Sequence, residues 1–133
     1  MKNNKMLLLV PILVLLSLLL AACGTTSSGD ANFPTGKFIK SGTTNYGLIF
    51  NEDGTFSLFD GSSTLVRGTY SANGDTYTEE SNDAGCTDVP KSFKYTFDGK
   101  NLTFNYIDNP EEDTCGGGGR RADFDNVTYT LSE

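Results

Sequence analysis

Polar and apolar positions along this chain change their rhythm once, near residue 33. From there on, apolar residues alternate with polar ones in short runs separated by turn residues, the pattern of half-buried β-strands. Gly36 to Ser41 forms the first run. Tyr46, Leu48 and Phe50 share one face of a second, and Asn51-Glu52-Asp53-Gly54 is a tight turn. Phe56 and Leu58 lie on a third strand that ends at Asp60-Gly61, and Val66, Gly68 and Tyr70 on a fourth. Asn73-Gly74 is a strong hairpin signal, and Tyr77 anchors a polar fifth strand. After a loop from Cys86 to Pro90, Phe93, Tyr95 and Phe97 keep a strict period of two. Asp98-Gly99 turns that run into Leu102, Phe104 and Tyr106. A long loop follows from Asp108 to Arg121, and Val127, Tyr129 and Leu131 make the last strand. No stretch shows a helical period.

Eight short strands joined by sequential hairpins predict an all-β domain over 33–133. A meander of eight strands closes into a small antiparallel barrel without exposed edges. The rival arrangement is a two-sheet sandwich.

Before residue 33 the pattern is different. Lys2 and Lys5 precede an almost wholly apolar run from Leu7 to Leu20, broken by Pro11 and Ser17. A basic start, a short apolar stretch and small residues at its end mark a secretory signal. The run is shorter than the ~20 residues a spanning helix needs. Leu20-Ala21-Ala22-Cys23 resembles the lipobox of bacterial lipoproteins. The resemblance implies removal of residues 1–22, lipid on the thiol of Cys23 and usually an acyl group on the new N-terminus. Two or three acyl chains hold a protein on a membrane stably, where one is marginal. Gly24 to Ala31 is rich in Gly, Ser and Thr, so 23–32 reads as a lipidated flexible tether. The expected location is extracytoplasmic, on the cell membrane. Gly24 stands where an Asp would resemble an inner-membrane retention signal, so an outer membrane is favoured if the host has one.

Charge and cysteine content narrow the function. With Lys2 and Lys5 removed, eight basic residues face seventeen acidic ones, a net charge of −9. Such a balance argues against nucleic acid, which needs a basic footprint. His is absent, which excludes Ser-His-Asp, Cys-His and His-metal arrangements. With Cys23 lipidated, Cys86 and Cys115 remain, and an even pair in an oxidising compartment reads as a disulfide. It would close a loop of about thirty residues, worth ~3 kcal/mol in the chain-entropy treatment. The alternative is two free thiols, with no His beside them to activate either. Asp108 to Asp113 carries oxygen ligands suited to Ca²⁺ but lacks the EF-hand spacing, and reads as a solvated acidic loop. Gly116 to Gly119 before Arg120-Arg121 lacks the Lys-Ser/Thr of a P-loop and reads as a flexible loop. No metal or cofactor is expected. Nothing singles out a carboxylate pair for hydrolysis, so an enzyme is not the expected reading.

The order of several small motifs resembles that of the lipocalin-like, or calycin-like, β-barrel domains of bacterial secreted proteins. These motifs are Gly36-Lys37-Phe38, Asp53-Gly54-Thr55-Phe56, Gly68-Thr69-Tyr70 with Asn73-Gly74-Asp75, Cys86, Asp98-Gly99-Lys100-Asn101-Leu102, and Asp113-Thr114-Cys115 before Arg120. Lipocalins carry Gly-x-Trp on the first strand, with a late basic residue packed on the indole. Phe38 stands at the Trp position here, and the resemblance implies a barrel-end plug of Phe38 with Arg120 or Arg121. It also implies binding of a small apolar or amphipathic ligand. Rings lining such a cavity would be Tyr46, Phe50, Phe56, Tyr70, Phe93, Tyr95, Phe97, Phe104, Tyr106 and Tyr129. An eight-stranded barrel is just wide enough for side chains or one small ligand. The alternative is therefore a barrel filled by these rings, in an envelope protein that binds another protein or a polysaccharide.

Overall fold

The computed structural model describes residues 32–83, 85–87 and 89–133. The signal segment, Cys23 and all of the tether except Asn32 lie outside the described residues. Eight strands close an antiparallel barrel in chain order. They are β1 (Gly36–Lys40), β2 (Tyr46–Phe50), β3 (Thr55–Asp60), β4 (Ser63–Asn73), β5 (Thr76–Ser81), β6 (Lys91–Phe97), β7 (Asn101–Tyr106) and β8 (Val127–Leu131). The ring is completed by β1 on β8, with Phe38 opposite Leu131 and Lys40 opposite Tyr129. The meander barrel expected from the hairpin pattern is the fold, and the sandwich is not.

The alternation of apolar residues sets which side chains face inward. Phe38, Leu48, Phe50, Phe56, Tyr70, Tyr77, Phe93, Leu102, Phe104 and Tyr129 are all buried in one core. On β3 the register shifts between Leu58 and Phe59. This irregularity leaves two consecutive residues buried, and the Phe59 ring lies under the Lys37 ammonium at 4.9 Å. Gly68 on β4 keeps space for a neighbouring ring. A Cβ there would sit 2.6 Å from Phe56, so any larger residue would displace the ring or the strand.

The two barrel ends are built differently. Turns β2–β3, β4–β5 and β6–β7 lie at one end, where β1 begins and β8 stops. Phe33, just before β1, closes this end. Its ring centroid lies 5.1 Å from Phe50, 5.0 Å from Tyr70, 5.3 Å from Tyr77 and 5.0 Å from Tyr95. The loops β1–β2, β3–β4, β5–β6 and β7–β8 form the other end, the mouth.

The β7–β8 connection is not the irregular loop that its composition predicts. It holds a 3-10 turn at Pro110–Glu112 and a six-residue helix, α1 (Gly119–Phe124). Gly116, Gly117 and Gly118 have φ of 57°, 66° and 89°. That left-handed backbone, cheap only for glycine, reverses the chain between Cys115 and α1.

Candidate functional site

Helix α1 lies across the mouth and presents Arg120, Asp123 and Phe124 inward, all buried. These positions are i, i+3 and i+4, one face of a helix. Phe124 stacks on Phe93 at 4.6 Å and on Tyr77 at 5.9 Å. Because Tyr77 also stacks on Phe33, three rings run in file from the closed end to the mouth.

Arg120 is the centre of a buried charge cluster. Its Nε and Nη2 donate to the two oxygens of Asp113 at 2.9 and 3.1 Å, a bidentate pair. Its Nη1 donates to Glu79 Oε1 at 3.0 Å and to the Val89 carbonyl at 2.9 Å. Asp113 also accepts from the Tyr106 hydroxyl at 2.7 Å and the Cys115 amide at 3.1 Å. Burial pushes the Asp113 carboxyl up, but the bonds from Arg120, Tyr106 and Cys115 outweigh it, and the group titrates below its ordinary value. Glu79 moves the other way. Burial dominates there and raises its carboxyl despite Arg120. Burial by itself lowers Arg120, but the bonds to Asp113 and Glu79 prevail and hold its guanidinium more firmly protonated than usual.

A second cluster fixes the other side of α1. The Tyr46 hydroxyl donates to both Asp123 oxygens at 2.8 and 2.9 Å, and Lys40 Nζ donates to one at 3.1 Å. The Tyr129 hydroxyl reaches the Asp123 carbonyl at 3.0 Å. Burial, then the Asp123 charge, raise the Tyr46 and Tyr129 phenols, keeping both as donors. The Cys86–Cys115 disulfide, with Cα atoms 5.0 Å apart, ties the β5–β6 loop to the β7–β8 loop. The pairing read from the sequence is present.

Between α1 and strands β2 to β5 a pocket of about 260 Å³ remains in the mouth. Leu48, Phe56, Leu58, Leu65 and Val66 make its apolar wall. Glu79, Asp83, Arg120 and Asp123 make its charged wall, with Ser81 and both disulfide cysteines on the lining. Among the described residues, two buried oxygens near this region have no hydrogen-bond partner, Glu79 Oε2 and the Tyr77 hydroxyl.

The sequence-predicted residues divide among three places. Of the ten rings expected around a cavity, Tyr46 and Phe56 line the mouth pocket. Phe50, Tyr70, Phe93, Phe104 and Tyr129 are buried against other rings and fill the barrel interior. Tyr95 packs on Phe33 at the closed end, Phe97 packs edge-on to Phe38, and Tyr106 holds Asp113.

The expected plug is not assembled from Phe38 and an arginine. Phe38 lies toward the closed end, against Phe50 and Phe97. Arg120 sits at the mouth on carboxylates, and Arg121 pairs with Glu111 at 2.7 Å. The reason is topological: β8 runs from mouth to closed end, so the loop before it lies at the end opposite the start of β1. The closed end is plugged by Phe33, and the mouth by Phe124.

Sequence patterning does not single out Glu79 or Asp123, and it places Asp113 only in an acidic loop and in the motif before Arg120. One signal pointed to Glu79: it stands two residues from Tyr77 on a strand, hence on the same inward face. The acidic segment near Asp108 is not wholly solvated either. Asp108 pairs with Lys91 at 2.7 Å, while Asp113 is buried on Arg120.

Compared with family models, curated proteins and solved structures, the chain matches none.

Proposed function

We propose that this chain is a membrane-anchored extracytoplasmic binding module that takes a small amphipathic molecule into the mouth of its barrel. The observation carrying this reading is the mouth pocket, apolar on one side and charged on the other. At about 260 Å³ it falls just under the ~300–1,000 Å³ of typical small-molecule sites. A ligand of that size occupies the mouth and not the barrel axis, which is filled with rings. Anchoring is supported by the lipobox-like Leu20-Ala21-Ala22-Cys23. A disulfide between the two remaining cysteines suits an oxidising compartment. Phe33 enters at the closed end, so a lipid at Cys23 is joined to the end opposite the mouth.

The test uses 1-hexanol as probe and the full chain held in detergent, against a detergent-only blank. Saturable shifts of the methyl signals of Leu48, Leu58 and Val66 are expected. Val66→Phe, which fills the pocket, abolishes them. Failure of hexanol, hexylamine and hexanoate alike to shift these signals overturns the reading. For the anchor, Cys23→Ser leaves an uncleaved precursor or sheds protein into the medium; membrane-bound protein of normal processed mass refutes it.

A second reading rests on a different observation. Leu65, Val89 and Ile107 are 52 %, 47 % and 52 % exposed, and all three stand on elements at the mouth. An apolar rim around a filled barrel suits an envelope protein docking another macromolecule. Loss of hexanol binding with retention of a saturable macromolecular partner at this rim would favour it.

A further inference from the structure

We infer that the mouth pocket selects a cationic amphiphile, a primary ammonium set on Glu79 Oε2 with a short apolar chain along Leu48, Phe56, Leu58 and Val66. This rests on the binding reading above and names the chemistry of the ligand's head.

Glu79 belongs to the pocket wall, its side chain is 1 % exposed, and one of its oxygens is held by Arg120. The other oxygen has no hydrogen-bond partner among the described residues. A buried carboxylate oxygen left unpaired is costly, and a donor that pairs with it recovers that cost. The sign of the donor follows from its surroundings. Among the described residues three carboxylates, Glu79, Asp83 and Asp123, line the pocket against one guanidinium. That guanidinium is already committed to Asp113, Glu79 and the Val89 carbonyl. An anionic head therefore meets like charge and an arginine whose charge is already neutralised. A hydroxyl gains one hydrogen bond. An ammonium gains a charge-assisted bond at Glu79 and the attraction of Asp83 in a site of low dielectric, while Asp123 is already paired with Lys40 at 3.1 Å. Burial also holds the Glu79 carboxyl above its ordinary range, a penalty on its charged form that a neighbouring cation relieves.

The experiment titrates the full chain in detergent with hexylamine, 1-hexanol and hexanoate by calorimetry, each against a detergent-only blank. The three share one chain and differ in the head. Hexylamine is expected to bind about tenfold or more tightly than hexanol, the worth of a charge-assisted hydrogen bond, and hexanoate not at all. Glu79→Gln is expected to weaken hexylamine about tenfold and hexanol much less, so that most of the preference for the ammonium is lost. Two measurements do not depend on that variant folding. In the wild type, the carboxyl ¹³C signal of Glu79 moves with hexylamine and stays with hexanol. Asp83→Asn, at a half-buried site, weakens hexylamine by roughly two- to threefold through the loss of one nearby charge. Equal binding of hexanol and hexylamine overturns the assignment of the head while leaving the pocket standing. A hexylamine complex with an unmoved Glu79 signal overturns it as well. Binding by none of the three overturns the pocket reading itself.

Discussion

At the closed end Phe33 meets four rings, while at the mouth Arg120 meets two carboxylates and a disulfide spans the loops. The ring plug needs only shape and burial, and it excludes water without leaving any group to recognise a ligand. The mouth needs every donor matched to an acceptor, and it leaves one carboxylate oxygen over. Under the proposed reading the end held by charge is the end that discriminates among ligands, and it is the end whose stability is expected to respond to pH and to reduction of Cys86–Cys115.

The largest effects come from breaking either plug. Arg120→Met strands Glu79 and Asp113 as uncompensated buried carboxylates and is expected to cost about 3–5 kcal/mol at neutral pH. Phe33→Ala is expected to cost a similar ~3–5 kcal/mol, as for other buried rings. Denaturant unfolding measures both, and pH separates them. Asp113 titrates low in the folded chain, so its stabilisation is present above the unfolded carboxylate range and is lost as pH falls through its depressed value. Glu79 titrates high. Its neutral form is favoured by folding, so stability present in acid is lost as pH rises through its raised value. Glu79→Gln should remove that upper limb, whereas Phe33→Ala should shift the whole curve without changing its shape. A Phe33→Ala profile that changes shape would remove the contrast between the ends.

Next in size is the disulfide. Replacing Cys86 and Cys115 together by Ser should cost about 3 kcal/mol, the chain-entropy value for a loop of this length. Hydrogen exchange should then rise in the β5–β6 and β7–β8 loops and stay unchanged around Phe33. Uniform loosening of both ends would show that the mouth is not an independent unit. Tyr77→Phe sharpens the comparison from inside, because its hydroxyl is buried without a partner. Removing an unsatisfied hydroxyl should raise stability by about 1 kcal/mol, read as a higher denaturation midpoint. The smallest effect is a coupling. A double-mutant cycle on Phe38 and Arg120 should give a value near zero, since they stand at opposite ends and share no partner. Coupling above about 1 kcal/mol would restore the arginine plug that the lipocalin-like motifs imply.

The strands were legible because period two is a direct image of a pleated sheet with one wet face. Tyr46-x-Leu48-x-Phe50 and Phe93-x-Tyr95-x-Phe97 leave little choice of face. Sequential hairpins then made the meander and its closure readable. The cysteine pair was readable by counting. Helix α1 was not, because its buried stripe is Arg120, Asp123 and Phe124, and a search for apolar periodicity passes over two charged residues. The bond from Arg120 to Glu79 joins α1 to β5 across forty-one positions of the chain, and no local pattern announces such a pair. The cavity expected among ten rings shrank to the mouth because these rings are large enough to satisfy one another.

The order in which the strands pair also constrains how the barrel assembles. Seven of its eight seams join neighbours in sequence, while β1–β8 unites the two ends of the domain over three paired positions. Hairpins pay a small loop-closure entropy; this last seam waits for the whole ring. Phe33 lies next to β1, so the plug and the closing strand dock together. The slowest step of folding should therefore also shut the aromatic end, and partial opening of the native state should begin along this seam. Amides of Phe38 to Lys40 are expected to exchange before those of the six-pair β3–β4 ladder, through a partly unfolded state in which the other strands remain a curved open sheet.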